Sequence, residues 1–200
     1  MYLRLSIAAV AALALTPGIA AAQNYSPGYQ FLEAVRKAEG AKVTETLNQP
    51  GSTIVNTRGS DGAGALHIVA RRSDAVYLRF LLQKGANPNL QDSAGNTAAM
   101  VAIESGFVEA IPILATYKAN MNVGNSRGET PLIRAVQNRN MAAVRALLEA
   151  GADPDQADVM AGMSAREYAT RDGRSQPILK LIEDAPKAKA AAGVSGPRAR

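Results

Sequence analysis

Cysteine and tryptophan are both absent from the 200 residues, and histidine occurs once. The missing cysteine excludes disulfides, thiolate zinc and iron–sulfur ligation, a cysteine nucleophile and a lipid-modified bacterial N-terminus. Aromatic residues make up only 4% of the chain. A core must therefore be built from Ala, Leu, Ile and Val, which favours helix packing over an aromatic-centred β-sandwich. What is present is globular in balance: 47% hydrophobic and 20% charged, with 17 Gly and 10 Pro, which excludes a collagen-like or wholly disordered chain.

The two ends read differently from the middle. Met1 to Arg4 carries one positive charge, Leu5 to Leu15 is apolar apart from Ser6, and Thr16-Pro17-Gly18 breaks any helix before Ala20-Ala21-Ala22. That order is the order of a secretory signal peptide, expected over 1–22 with cleavage between Ala22 and Gln23. An eleven-residue run reaches roughly 16 Å in a helix, short of the ~30 Å a membrane core requires, so stable membrane insertion is not expected. The expected location is the periplasm, or the exterior after secretion. At the other end, residues 185–200 hold Lys187, Lys189, Arg198 and Arg200 with few large apolar groups, and are expected to form a disordered basic tail. Apart from Arg4 and these four, the 22 basic residues equal the 17 acidic ones in number. The body is thus neutral, and nucleic-acid binding is not expected. The tail offers a weak electrostatic contact to anionic lipid.

Between the ends, Gly62, Gly95, Gly128 and Gly162 recur at spacings of 33, 33 and 34 residues. Two residues after each stands a helix start, Gly64, Thr97, Thr130 and Ser164. Three of these can cap; Thr130 is followed by Pro131 in the first helical position, and Ser164 has Glu167 three residues on, which spells a capping box. A short Ala-rich apolar stretch follows each start. Second helices carry Leu81-Leu82 and Leu147-Leu148 and stop at Gly85 and Gly151. Asn87-Pro88-Asn89, Asn120-Met121-Asn122 and Asp153-Pro154-Asp155 then supply turns whose side chains bond nearby backbone amides. A unit of two short helices cannot bury its own apolar face, so the units must stack into a solenoid.

With GAGALHIVA and LLQKGANPN, GNTAAMVAI and YKANMN, and GETPLIRAV and LLEAGADPD, the chain resembles the ankyrin repeat family. The resemblance implies an all-α solenoid of helix-turn-helix units with projecting hairpin turns. The expected divisions are 23–58 as an N-terminal segment and capping repeat, repeats over 59–91, 92–124 and 125–157, and a C-terminal capping repeat over 158–184. In the first unit Leu32, Val35 and Ala38 are expected on one helix, and Val43 and Leu47 on the next. Departures mark weak points. Gly64-Ala65 replaces Thr-Pro and should loosen that helix start; Lys118 occupies a glycine stop, where a left-handed residue costs about 1 kcal/mol. Pro112 falls inside a second helix and should kink or restart it. Arg166, at a usual leucine site, suits a terminal cap with a wet outer face.

The chemistry-bearing residues have ordinary readings. The resemblance implies that His67 braces the loop between repeats. Asp153, Asp155 and Asp158 look like the start of a calcium loop, but Ala157 stands where the third ligand should be and Ser164 where the glutamate should be. Gly59-Ser60-Asp61-Gly62-Ala63-Gly64 lacks the Lys and Ser/Thr of a phosphate-cradling loop. Nothing positions a Ser-His-acid triad. No catalytic residue, metal site or cofactor is therefore assigned.

The resemblance implies that another protein binds on the concave side, formed by turn tips and first helices. By register, the exposed positions there are Ser60, Asp61, Ala63, Arg71 and Arg72, then Asn96 and Glu104, then Arg127, Glu129, Gln137 and Asn138. Arg71, Arg72 and Arg127 together are expected to form a basic spot for an acidic partner. The resulting reading is a non-catalytic protein-binding scaffold of the bacterial periplasm, with a partner in the cell envelope. The alternatives are an envelope-associated structural protein held at anionic surfaces by the tail and, last, an enzyme. Mass spectrometry of the exported protein should show Gln23 as its first residue; a mature chain retaining Met1 contradicts the leader.

Overall fold

A computed structural model describes residues 26–49 and 53–185. The expected signal peptide with its cleavage site, and the tail beyond Ala185, lie outside the described residues. The described chain forms ten helices: α1 (Pro27–Arg36), α2 (Gly40–Leu47), α3 (Ala65–Arg71), α4 (Ala75–Gln83), α5 (Ala98–Glu104), α6 (Ala110–Thr116), α7 (Pro131–Gln137), α8 (Met141–Glu149), α9 (Ala165–Arg171) and α10 (Gln176–Asp184). Among the described residues the sole β pairing is an isolated bridge between Ala157 and Ser164.

Consecutive helices pair, and the pairs stack. First helices form one row, α1 on α3, α3 on α5, α5 on α7 and α7 on α9; a second row runs from α4 through α6 and α8 to α10. The first row is alanine-rich where it is buried, with Ala65, Ala70, Ala98, Ala99, Ala102, Ala135, Ala165 and Ala169 all inaccessible to solvent. Small side chains let these helices approach closely, while Leu78, Leu81, Leu114 and Leu147, carried by the second row, are fully buried in the same core. The architecture is the expected all-helical repeat solenoid.

The helix starts follow from local chemistry. The hydroxyls of Thr97, Thr130 and Ser164 accept from the N–H groups of Met100, Ile133 and Glu167, and Glu167 accepts from the Ser164 N–H at 2.7 Å. Gly64 does not loosen its helix, contrary to the sequence expectation: α3 starts at Ala65 and the His67 ring accepts from the Gly64 N–H at 3.1 Å. A Cβ at Gly64 would lie 2.5 Å from Leu90 Cδ2, so a larger residue there would require the Leu90 side chain to move. The second helices α4 and α8 are capped by Asp74 and Asn140. By register with them α6 would begin at Val108, but it begins at Ala110 without a side-chain cap. Pro112 thereby falls in the first turn, where no helical bond is lost, so the helix restarts late instead of kinking. Ala38 is also corrected: it lies in the turn after α1, exposed, with φ 57°. Phe31 and Ala34 join Leu32 and Val35 in the buried face instead.

Two hydrogen-bond ladders stitch the units. At the hairpin tips the N–H groups of Ser93, Ser126 and Val159 donate to the carbonyls of Asp61, Ala94 and Arg127 at 3.0, 3.0 and 2.9 Å. Gly62 and Gly95 have φ of 74° and 80°, and a Cβ on either would come within 2.5 and 2.6 Å of the neighbouring hairpin's backbone nitrogen. At the opposite edge, the Oδ1 atoms of Asn56, Asn89 and Asn122 accept from the N–H groups of Asn87, Asn120 and Asp153, each at 2.7 Å. Asp155, next in this series, is held by Arg166 at 2.6 Å.

Lys118 does adopt the left-handed conformation, with φ 62°. Lys118→Gly should raise stability in urea unfolding by up to about 1 kcal/mol, whereas Gly95→Ala should lower it by at least about 1 kcal/mol. Equal effects of one sign would contradict the strain assignment.

Candidate protein-binding face

The hairpins and the first helices line one face, and the residues singled out from sequence divide there into three groups. Ser60 and Asp61 are exposed at the first hairpin, Arg71 and Glu104 at the ends of α3 and α5, and Gln137 and Asn138 at the end of α7. Ala63 is a correction: it is 8% exposed, because the residue before Gly64 turns inward beneath the hairpin. The third group consists of polar side chains that are reachable but already occupied.

Arg72 belongs to that group. It caps α3 and donates to the Val35 and Arg36 carbonyls at 2.8 and 3.3 Å and to Asp74 at 2.9 Å, with its guanidinium 5.3 Å from the Tyr77 ring centroid. It satisfies carbonyls at the end of α1 and joins the first unit to the second. Asn96 is half-buried: its carbonyl accepts from His67 and its Oδ1 from Asn125 at 3.3 Å. Arg127 donates to Glu129 at 2.7 Å, and Arg134 reaches the same carboxylate oxygen at 2.7 Å. Burial works against the Glu129 charge, but the Asn125 amide and the two arginines outweigh it and hold the carboxyl below its ordinary value. The expected basic spot of Arg71, Arg72 and Arg127 therefore does not form. Sequence reasoning missed Arg134, although its spacing of five residues from Glu129 was the available signal.

An open pocket of about 280 Å³ lies on this face, lined by Arg36, Asp61, Ala63, His67, Ile68, Arg71 and Arg72. Arg36, which had no place in the sequence-based set, pairs with Glu33 in the preceding turn. Arg71 makes no ion pair or side-chain hydrogen bond among the described residues.

His67 forms the pocket floor and is 1% exposed. Its Nδ1 accepts from Gly64, so its Nε2 carries the proton and donates to the Asn96 carbonyl at 2.9 Å. Both ring nitrogens are consumed in bracing the next hairpin, which leaves neither for a metal or a proton-transfer step. Burial lowers the pKa, against the opposing pull of the Asn96 carbonyl and of Asp92 and Asp61. The three carboxylates of the discarded calcium loop are likewise engaged apart. Asp153 accepts from the Asp155 N–H, Asp155 pairs with Arg166, and Asp158 accepts from the Tyr168 hydroxyl at 2.7 Å. Burial opposes the Asp158 charge, but that hydroxyl and the N–H groups of Ala161 and Met160 hold its pKa below the ordinary value. Among the described residues no helix is long and apolar enough to cross a membrane.

A family model described as ankyrin repeats in three copies matches residues 18–125 and 66–158. The chain is 27% identical over 174 residues to ankyrin repeat domain-containing protein 63 of Homo sapiens, covering 83% of this chain and 46% of that protein. It is 39% identical over 80 residues to a putative ankyrin repeat protein of Acanthamoeba polyphaga mimivirus, covering 40% and 19% of the two chains. A putative ankyrin repeat protein of Rickettsia bellii is 29% identical over 123 residues, covering 58% and 36%. The chain spans less than half the length of each of these relatives.

The bracing role of His67 has a signed consequence. Because the fold disfavours its protonation, its contribution is intact above the ordinary value of 6.5 and is lost as pH falls from there toward the lower folded value. Thermal unfolding between pH 7.5 and 5 should show that decline in the wild type and a flatter profile in His67→Met. The variant should also be about 1–3 kcal/mol less stable at neutral pH, since Gly64 and Asn96 lose their partner. An unchanged slope would contradict the assignment.

Proposed function

The chain belongs to the ankyrin repeat family, whose repeats are protein–protein interaction modules, and on that premise we propose that it is a non-catalytic scaffold binding an envelope protein in the bacterial periplasm. The observation that carries the binding role is the division of labour on the hairpin face. Stacking and bracing consume His67, Asn96, Arg72 and the Glu129 cluster, while Arg71, Glu104, Gln137 and Asn138 stand exposed at the ends of three successive first helices. Side chains repeated at one register along a rigid array offer a partner several contacts at once, with little ordering cost on this side of the interface. The leader-like segment at 1–22 supports export, and with it a partner in the same compartment. The four basic residues at 187–200 support a second reading, in which the protein is a structural element held at anionic lipid.

Affinity capture from periplasmic extract tests the proposal. Joint replacement Gln137→Arg and Asn138→Arg should weaken capture of a defined partner while helicity and unfolding midpoint stay unchanged. Arg145→Glu, on the exposed side of α8, should have no effect. Leu147→Ala should lose capture by another route, since truncating this fully buried side chain costs about 2–5 kcal/mol and melts neighbouring units. Normal capture by the double variant, with loss in Arg145→Glu, would place the interface elsewhere.

A further inference from the structure

The two ladders end differently at the C-terminal side. The asparagine ladder closes on Arg166, which holds Asp155 at 2.6 Å, but the tip ladder stays open. Asp61, Ala94 and Arg127 each accept from the hairpin that follows. Met160, 33 residues after Arg127, is next in that series, and its carbonyl accepts no hydrogen bond among the described residues. A Cβ on Gly62, Gly95 or Gly128 would strike the hairpin stacked against it, whereas one on Gly162 would meet nothing within 4 Å. This last tip also differs in chemistry. Ser60-Asp61, Ser93-Ala94 and Ser126-Arg127 are replaced there by Val159-Met160, and these two apolar side chains are 72% and 74% exposed.

We propose that segment 193–196 of this chain, outside the described residues, stacks on the last hairpin as one further tip, with the Val194 N–H donating to the Met160 carbonyl and the Val194 side chain covering Val159 and Met160. Spacing carries the choice of occupant. The donors Ser93, Ser126 and Val159 each stand ten residues after the end of the preceding helix, at Gln83, Thr116 and Glu149. Ten residues after Asp184, which ends α10, stands Val194. Gly196 follows it by two, as Gly95 and Gly128 follow Ser93 and Ser126. Val194 is also the one large aliphatic side chain after Ile182, and burying it against the exposed tip removes apolar surface from water on both sides. Pro186 occupies the position at which Gly85, Lys118 and Gly151 are left-handed, a conformation closed to proline, so the chain does not repeat the edge turn. It leaves α10 extended instead, with Ala185 at ψ 140°, and a length that suffices for the turned path suffices for a straighter one. For these four residues the contact replaces the expectation of a disordered tail. Lys187, Lys189, Arg198 and Arg200 remain to either side of it, and the inference is independent of which partner the hairpin face binds.

Because the chain has no cysteine, an engineered pair reports the contact without background. In the full chain, Ala161→Cys with Ser195→Cys should form an intramolecular disulfide under oxidised glutathione roughly tenfold faster than Arg145→Cys with Ser195→Cys, since docking raises the effective concentration of one thiol at the other. Ala161 and Arg145 are both exposed, and an undocked chain running from Asp184 to Ser195, up to ~36 Å when extended, reaches either one. Adding Val194→Asp should remove the difference in rate, and adding Ala190→Asp should keep it. Circular dichroism and unfolding midpoints of the reduced variants establish that they fold. Equal rates for the two pairs, or an advantage that survives Val194→Asp, overturns the proposal. Rapid formation of a disulfide-linked dimer by Ala161→Cys alone also overturns it, in favour of a second copy seated on the tip. Equal rates together with loss of affinity capture in Met160→Asp would assign the tip to the protein partner instead.

Discussion

The distance at which one hairpin lies against the next governs the whole solenoid. Gly62, Gly95 and Gly128 carry no Cβ, and each would otherwise press a carbon to within 2.8 Å or less of a backbone nitrogen in the neighbouring unit. With that atom absent, the tips approach to hydrogen-bond distance and the alanine-rich first helices behind them close up. No unit has an apolar face wide enough to be buried by its own two helices, so burial comes from neighbours, and neighbours meet only if the tips allow it.

Apolar contact between helix rows is strong but non-directional. The two polar ladders supply direction. The backbone ladder at the tips and the asparagine ladder at the opposite edge fix each unit at two separated points, and His67 adds a third point between the second unit and its neighbour. The result is an array whose surface side chains hold a set spacing. Binding by a flat row of exposed side chains depends on that spacing, since none of them is positioned by a cavity of its own apart from those at the N-terminal pocket.

The legible part of this protein was the part encoded locally. The glycine period, the Thr130-Pro131 and Ser164–Glu167 starts and the Leu81-Leu82 and Leu147-Leu148 pairs are each short-range signals, and each acts where the spacing placed it. Of the two outcomes open for Pro112, the restart occurs and the kink does not, because a proline disrupts a helix only if the helix has already begun, and α6 begins two residues later than the repeat predicts. Ala63 was misread because its register in the hairpin says nothing of which way the chain turns at Gly64. The asparagine ladder spans 31 residues per bond, whereas an Asx turn is read within two or three, so local reading found the turn bonds of Asn87, Asn120 and Asp153 and none of the ladder. Arg127 was assigned to a basic spot by proximity in register, although Glu129, two residues on, was near enough in sequence to pair with it.

Arg166 acts as an end group. The asparagine ladder hands an acceptor from each unit to the next, and a series of that kind has a reactive terminus wherever it stops, much as a growing polymer does. At Asp155 the carboxylate is held by a guanidinium from the following unit. The guanidinium thus takes at this register the place that a backbone N–H holds at the three registers before it, and ties the last helix pair to its neighbour by an ion pair instead of an amide hydrogen bond.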